Sequence, residues 1–142
     1  MERGNLRAWQ DTSETRIAHT TILLVGPDSA IQRTLEKALR ELASSVVVAR
    51  DFDEAGALAA RRSRPPSIVM LPEIEIDPDE FESSLAALRI RTRSPELVPI
   101  AYGRAPHDER RQALREAGVD LALFGRFGRH ALRFQVNRAL SP

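Results

Sequence analysis

Five short apolar runs punctuate the chain: TILLV (residues 21–25), SVVVA (45–49), SIVML (67–71), LVPIAY (97–102) and DLALF (120–124). Most are continuously apolar instead of alternating, the signature of strands covered on both faces of a parallel sheet. Gly26-Pro27 ends the first run, and Asp28 and Ser29 are both residues that cap a helix amino terminus. In the helix that follows, Ile31, Leu35, Ala38, Leu39 and Leu42 form one stripe, with Arg33, Glu36, Lys37 and Arg40 off it. Asp53-Glu54 opens a second, alanine-rich helix that ends near Arg62, ahead of Pro65-Pro66. Pro72 ends the third run, and the acidic connection EIEIDPDE leads into a helix carrying Phe81, Leu85 and Leu88. Pro99 stands near the start of the fourth strand, where a missing ladder donor is tolerable. A helix over 107–117 closes on Gly118 as its carboxyl cap, and the last helix spans 129–140.

Five strands alternating with five helices predict a (βα)5 domain over residues 21–141. Its five-stranded parallel sheet is doubly wound, with right-handed crossovers and helices on both faces. Residues 1–20 show no strand alternation and read as a flexible amino-terminal tail, with Leu6, Trp9 and Ile17 as its larger apolar groups. Trp9 is the chain's only tryptophan, and an exposed one would be unusual, so a docking place for it is worth seeking.

Composition narrows the field. With 142 residues, 42% apolar and 29% charged, the chain is one globular domain by size and content. No apolar run approaches the roughly eighteen residues of a membrane span, and the amino terminus lacks the apolar core of a secretory signal. A cytoplasmic location is the expectation. Absence of cysteine removes disulfide, thiolate and Cys-zinc chemistry. A net charge of +1 gives no nucleic-acid footprint. Lys37 is the only lysine; so strong a preference for arginine reflects either genomic base composition or selection for bidentate pairing.

In a doubly wound sheet, ligands meet the carboxyl ends of the strands near the topological switch point. The residues to question are therefore Gly26-Pro27-Asp28, Arg50-Asp51, Pro72-Glu73, Gly103-Arg104 and Gly125-Arg126. No phosphate-loop, dinucleotide, nucleophile-elbow or zinc-protease motif occurs. His19, His107 and His130 have no ligand spacing and read as surface residues. GRFGR (125–129) places two glycines among arginines; an anion cradle and an ordinary helix-entry loop both fit.

The ordered set ILLVGPD (22–28), RPPSIVMLPEIEI (64–76), AGVDLALFGRF (117–127) and VNRAL (136–140) resembles the receiver domains of bacterial response regulators, the CheY-like family. The likeness covers about residues 20 to 140. It implies the flavodoxin-like receiver fold and a place in two-component signalling. It also implies where the family's chemistry would sit: a magnesium-binding acidic pair at Gly26 and Pro27, the acceptor aspartate at Pro72, a phosphoryl-binding hydroxyl at Gly103 and a lysine at Gly125. The switch aromatic of the last strand falls on Ala122. None of these positions carries the expected side chain. Magnesium needs several oxygen ligands, and phosphoryl transfer depends on positioned charge, so no metal, no cofactor and no enzymatic activity are expected. Asp28, Glu73 and Glu75 lie nearby, but a helix cap accounts for the first and a solvated loop for the other two.

What remains is surface. Leu132, Val136, Ala139 and Leu140 define the core stripe of the last helix, which turns Phe134 outward, flanked by Arg129, His130, Arg133 and Arg138. An aromatic residue among arginines has the composition of a binding hot spot; packing against a neighbouring element or against Trp9 explains it equally well. The expected function is a non-phosphorylatable receiver-like module that binds a protein partner, or itself as a homodimer, through the fourth helix, fifth strand and fifth helix. Asp108, Glu109 and Glu116 on the fourth helix offer partners for the arginines. Two other readings stay open: a sensor of a small anion or nucleotide held by Arg104 and Arg126, and a phosphotransfer domain with a displaced acceptor.

Overall fold

The computed structural model describes residues 16–141. Its strands are β1 (Thr21–Val25), β2 (Ser45–Ala49), β3 (Ile68–Pro72), β4 (Val98–Gly103) and β5 (Leu121–Phe124). The helices between and after them are α1 (Ala30–Leu42), α2 (Phe52–Ala59), α3 (Pro78–Thr92), α4 (Asp108–Glu116) and α5 (Arg129–Leu140), with a 3-10 turn, Glu73–Glu75, between β3 and α3. All strand pairs are parallel, and the sheet order is β2-β1-β3-β4-β5. The predicted (βα)5 architecture is therefore what the chain adopts.

Period-two alternation persists inside the apolar runs and divides the core. Leu23, Val25, Val69, Leu71 and Ala101 join Ala55 of α2, Phe81, Leu85 and Leu88 of α3, and Leu114 of α4. Ile22, Leu24, Ile68, Met70 and Ile100 point the other way and meet Leu35 and Leu39 of α1 and Leu132 and Val136 of α5. A fully buried Leu or Ile contributes roughly 1.5–3 kcal/mol, so the two layers together carry most of the drive to fold. Pro99 fits for a geometric reason. Val98 N donates to Ser67 O on the β3 side, so the next nitrogen faces the other way. On that side the pairing with β5 begins only at Ile100, opposite Leu121. The missing donor therefore costs no ladder bond.

Several local expectations are corrected. The buried stripe of α1 runs through Gln32, Leu35 and Leu39, whereas Ile31 is 47% exposed. The helix is rotated so that its first turn aims Gln32 at the end of β1. Ser29 alone caps α1, accepting from Gln32 N at 3.1 Å; Asp28 pairs with Arg33 at 2.8 Å. Asp51, not Asp53, caps the second helix, accepting from Glu54 N at 2.8 Å, and that helix ends at Ala59 before Arg62 is reached. Gly118 takes φ 99° one residue beyond Ala117, the cap of α4.

The amino-terminal boundary also moves. Residues 16–18 are helical, and Ile17 is buried at 3% exposure within the α1–α5 layer. Thr20 N donates to Ile17 O at 3.0 Å, and Ser44 N donates to Ala18 O at 3.0 Å. The packed domain thus starts before residue 20, while Leu6 and Trp9 lie outside the described residues. Ile17→Ala is expected to lower stability by about 2–4 kcal/mol in urea unfolding with an unchanged slope. No loss of stability would return this segment to the tail.

Candidate functional site

The switch point lies between β1 and β3, whose outward neighbours β2 and β4 run off in opposite directions. Every polar backbone group at the end of β1 is engaged there. Gly26 N donates to Ala49 O of β2 at 2.9 Å, and Gln32 Nε2 of α1 donates to Gly26 O at 2.9 Å. The Tyr102 hydroxyl, from β4, donates to Val25 O at 2.8 Å. Three elements therefore converge on two successive peptide groups.

Gly26 has φ 137°, a region that side chains rarely adopt. A Cβ placed on it would stand 2.7 Å from Pro72 Cγ and 2.7 Å from Tyr102 Oη. The space a side chain at residue 26 would use is filled by the Pro72 ring and the tyrosine hydroxyl. Pro72 and Tyr102 face one another in the β3–β4 register, and both are buried. Pro27 is exposed beside this plug.

Gly103 and Gly125 sit at the ends of β4 and β5, joined by Gly125 N donating to Gly103 O at 2.8 Å. Arg104 and Arg126 follow them and are exposed, with no bonded partner among the described residues. Glu73, expected to be solvated, is instead held: Arg110 Nε of α4 meets its carboxylate at 2.6 Å. The same guanidinium donates to Glu73 O and Ile76 O, each at 2.6 Å. With only 13% of the Glu73 side chain exposed, this three-bond brace fastens the loop after β3 to α4. Phe134 is 59% exposed on α5, and Arg138 stacks over it at 5.9 Å. Arg133 is exposed, and Arg129 pairs with Glu41 of α1.

Neither a protein-family model nor a curated protein matches the sequence. Solved structures do. The chemotaxis protein CheY4 of Vibrio cholerae superposes with a TM-score of 0.66 at 18% identity, covering 86% of this chain and 99% of that one. The chain has the receiver-domain fold. A receiver domain of a Pseudomonas aeruginosa sensor histidine kinase gives 0.65 at 22% identity over 87% and 98% of the two chains, and holds magnesium in its active-site cleft. A putative CpaE2 pilus assembly protein of Sinorhizobium meliloti gives 0.56 at 21% identity over 84% and 99%.

The side chains at this receiver-fold edge do not suit magnesium. Gly26, Pro27, Pro72, Gly103 and Gly125 offer no side-chain oxygen, and the Val25 and Gly26 carbonyls already accept hydrogen bonds. Among the described residues no three His, Cys, Asp or Glu side chains gather to hold a metal ion. Sequence reasoning missed Tyr102, Gln32 and Arg110. The signal for Tyr102 was available, since a tyrosine ending an apolar strand must find a partner for its hydroxyl.

Burial pushes the Tyr102 phenol up from 10.0 to about 12; a hydrogen bond with Gln32 opposes the rise and the charge of Glu75 adds to it. The neutral phenol is the form the fold favours, so the contribution of Tyr102 to stability is fully present below about pH 10 and is lost as pH climbs from there towards 12. Tyr102 is the chain's only tyrosine. Its tyrosinate absorbance is therefore expected to rise in one step near 12 in the folded chain and near 10 in urea. A step near 10 in both would mean that the hydroxyl is in water.

Proposed function

We propose that this receiver-fold domain takes up no phosphoryl group and acts as a protein-interaction module in two-component-type signalling. The observation that carries the reading is the plug at the switch point. A metal-bound phosphoryl group needs carboxylates and an open cleft where Gly26 lies against Pro72 and Tyr102. Neighbouring carboxylates are poor substitutes, because Asp28 is paired with Arg33 and Glu73 with Arg110. The Arg110 brace supports a second element of the proposal, a conformation that is constitutive instead of switched. The loop after β3 and the start of α4 are joined without any added charge.

The partner surface proposed is α5 with its neighbours α4 and β5. Phe134 is the large apolar group it exposes, and Arg133, Arg138 and Arg129 surround it with positive charge. Arg138 stacks over one face of the ring, most of which stays exposed. A partner, or a second copy offering Asp108, Glu109 and Glu116, would meet both features. Such binding weakens with salt, because exposed charges are screened.

Two measurements test this. Incubation with acetyl phosphate and magnesium is expected to leave the intact mass unchanged; an added phosphoryl group mapped to Asp28 or Glu73 would overturn the first half. For the second, Phe134→Ala is expected to fold normally yet lose association in sedimentation and pull-down measurements. Retention of every association by the folded variant would place the partner surface elsewhere.

A further inference from the structure

The amino-terminal edge of the sheet, opposite the plug, carries a polar groove of about 300 Å³ that the proposed function does not use. It opens where β1 and β2 begin side by side, Thr21 against Ser45 in the register. The turn after α2 forms the facing wall and supplies Arg62, Ser63 and Arg64. His19 and Ser44 complete the rim, and none of the lining residues is acidic.

Backbone bonding leaves the arginines of this turn unused. Arg61 N and Arg62 N donate to Leu58 O and Ala59 O at 3.3 and 3.0 Å, so these carbonyls at the end of α2 need no side chain. Arg62 and Arg64 are exposed and hold no carboxylate among the described residues, whereas Arg33, Arg40 and Arg50 each hold one. Two uncompensated guanidiniums on one groove set a positive field there.

An independent observation comes from the floor. Four hydroxyl residues are buried among the described residues: Thr20, Thr21, Thr92 and Ser94. Thr20, Thr92 and Ser94 donate to the carbonyls of Arg16, Leu88 and Pro66 at 2.7, 2.8 and 2.5 Å. The Thr21 hydroxyl has no such partner, although its residue is only 4% exposed. It is not sealed in the core either. Gln135 Oε1 is the side-chain polar atom enclosed without a partner among the described residues, so Thr21 keeps its polar tip on the groove that it lines. A buried hydroxyl without a partner carries a cost that a bound acceptor removes. Ser44 Oγ is spent on Ala18 O at 2.6 Å and only frames the rim, while the Ser45 and Ser63 hydroxyls are unbonded among the described residues.

We infer that this groove binds a phosphate dianion, free or as the monoester of a small molecule. Arg62 and Arg64 are its charge partners, and the Thr21 and Ser45 hydroxyls donate to it. Planar guanidiniums pair with phosphate oxygens two bonds at a time. Two of them with the hydroxyls offer more donors than the two oxygens of a carboxylate can take, and phosphate supplies a further oxygen. The volume lies at the small end for ligand sites, which suits a phosphate with a sugar-sized remainder. The site stands apart from the plug, so this inference does not depend on the function proposed above.

Amide spectra of the full chain, titrated with sodium phosphate and with adenosine monophosphate against sodium chloride at matched ionic strength, test it. Saturable shifts at Thr21, Ser45, Ser63 and Arg64 are expected with both phosphates and not with chloride. Tighter binding of the nucleotide would assign the groove to an ester, and equal or weaker binding would assign it to free phosphate. Arg62→Ser combined with Arg64→Ser, both at exposed positions, is expected to keep the native spectrum elsewhere and weaken binding roughly tenfold or more. Thr21→Val, which keeps the shape and removes the hydroxyl, is expected to weaken it several-fold. Arg104→Ser combined with Arg126→Ser, at the other edge of the sheet, is expected to leave it unchanged. Absence of saturable shifts at millimolar phosphate would overturn the inference, as would the same shifts with chloride. So would binding undiminished by the Arg62 and Arg64 pair or by Thr21→Val, or binding lost with Arg104 and Arg126.

Discussion

The Tyr102 hydroxyl resting on the Val25 carbonyl, with Gly26 pressed against Pro72, ties together the parts of the fold that meet at its switch point. It joins β4 to β1 across β3, which lies between them in the sheet. It can exist only because residue 26 has no side chain and adopts φ 137°. The same glycine peptide is held by β2 through Ala49 and by α1 through Gln32. Buried polar groups left without partners cost about 1–3 kcal/mol each, so the satisfaction of this cluster is a condition for burying it at all. Loss of any one member leaves another unpaired in a dry place.

That constraint propagates. Gln32 has to face inward, which rotates α1 and leaves Ile31 outside. Pro72 has to be the last residue of β3, and the chain then turns at once into Glu73–Glu75, where Arg110 of α4 holds the backbone. At this edge the space beside Gly26 is filled by the Pro72 ring and the Tyr102 hydroxyl, while Gly103 and Gly125 border open space. Chemistry at such an edge requires charge exposed to a ligand. On the proposed reading, the domain acts through its outer surfaces.

Much of the architecture was legible in the residues. The five continuously apolar runs are the five strands, because a parallel sheet covered on both faces tolerates few polar positions. Pro99 is tolerable from its place near the start of its run, and in the fold it precedes the pairing with β5. Local detail was less legible where one polar side chain outweighed the apolar pattern. Gln32 displaced Ile31 from the stripe of α1, and Ser29 took the cap that Asp28 was also expected to supply. At the site, the residues at the strand ends were found from topology alone. Tyr102 and Arg110 were not, since their role depends on contacts between elements far apart in sequence: 77 positions for Tyr102 to Val25 and 37 for Arg110 to Glu73. Glu73 read as solvated for the same reason, its partner being invisible to local pattern. The boundary at residue 20 was set by loss of strand pattern, which says nothing of a single buried isoleucine such as Ile17.

The proposed reading rests on the Pro72 ring and the Tyr102 hydroxyl filling the space beside Gly26, so that no divalent cation binds there. Paramagnetic broadening by manganese, a stand-in for magnesium with the same preference for oxygen ligands, tests it residue by residue in the amide spectrum of the folded chain. The account predicts no selective broadening at Gly26, Glu73 or Gly103 at manganese concentrations that erase the corresponding signals of a metal-binding receiver domain. Selective loss of those three signals, reversed by excess magnesium, would contradict it.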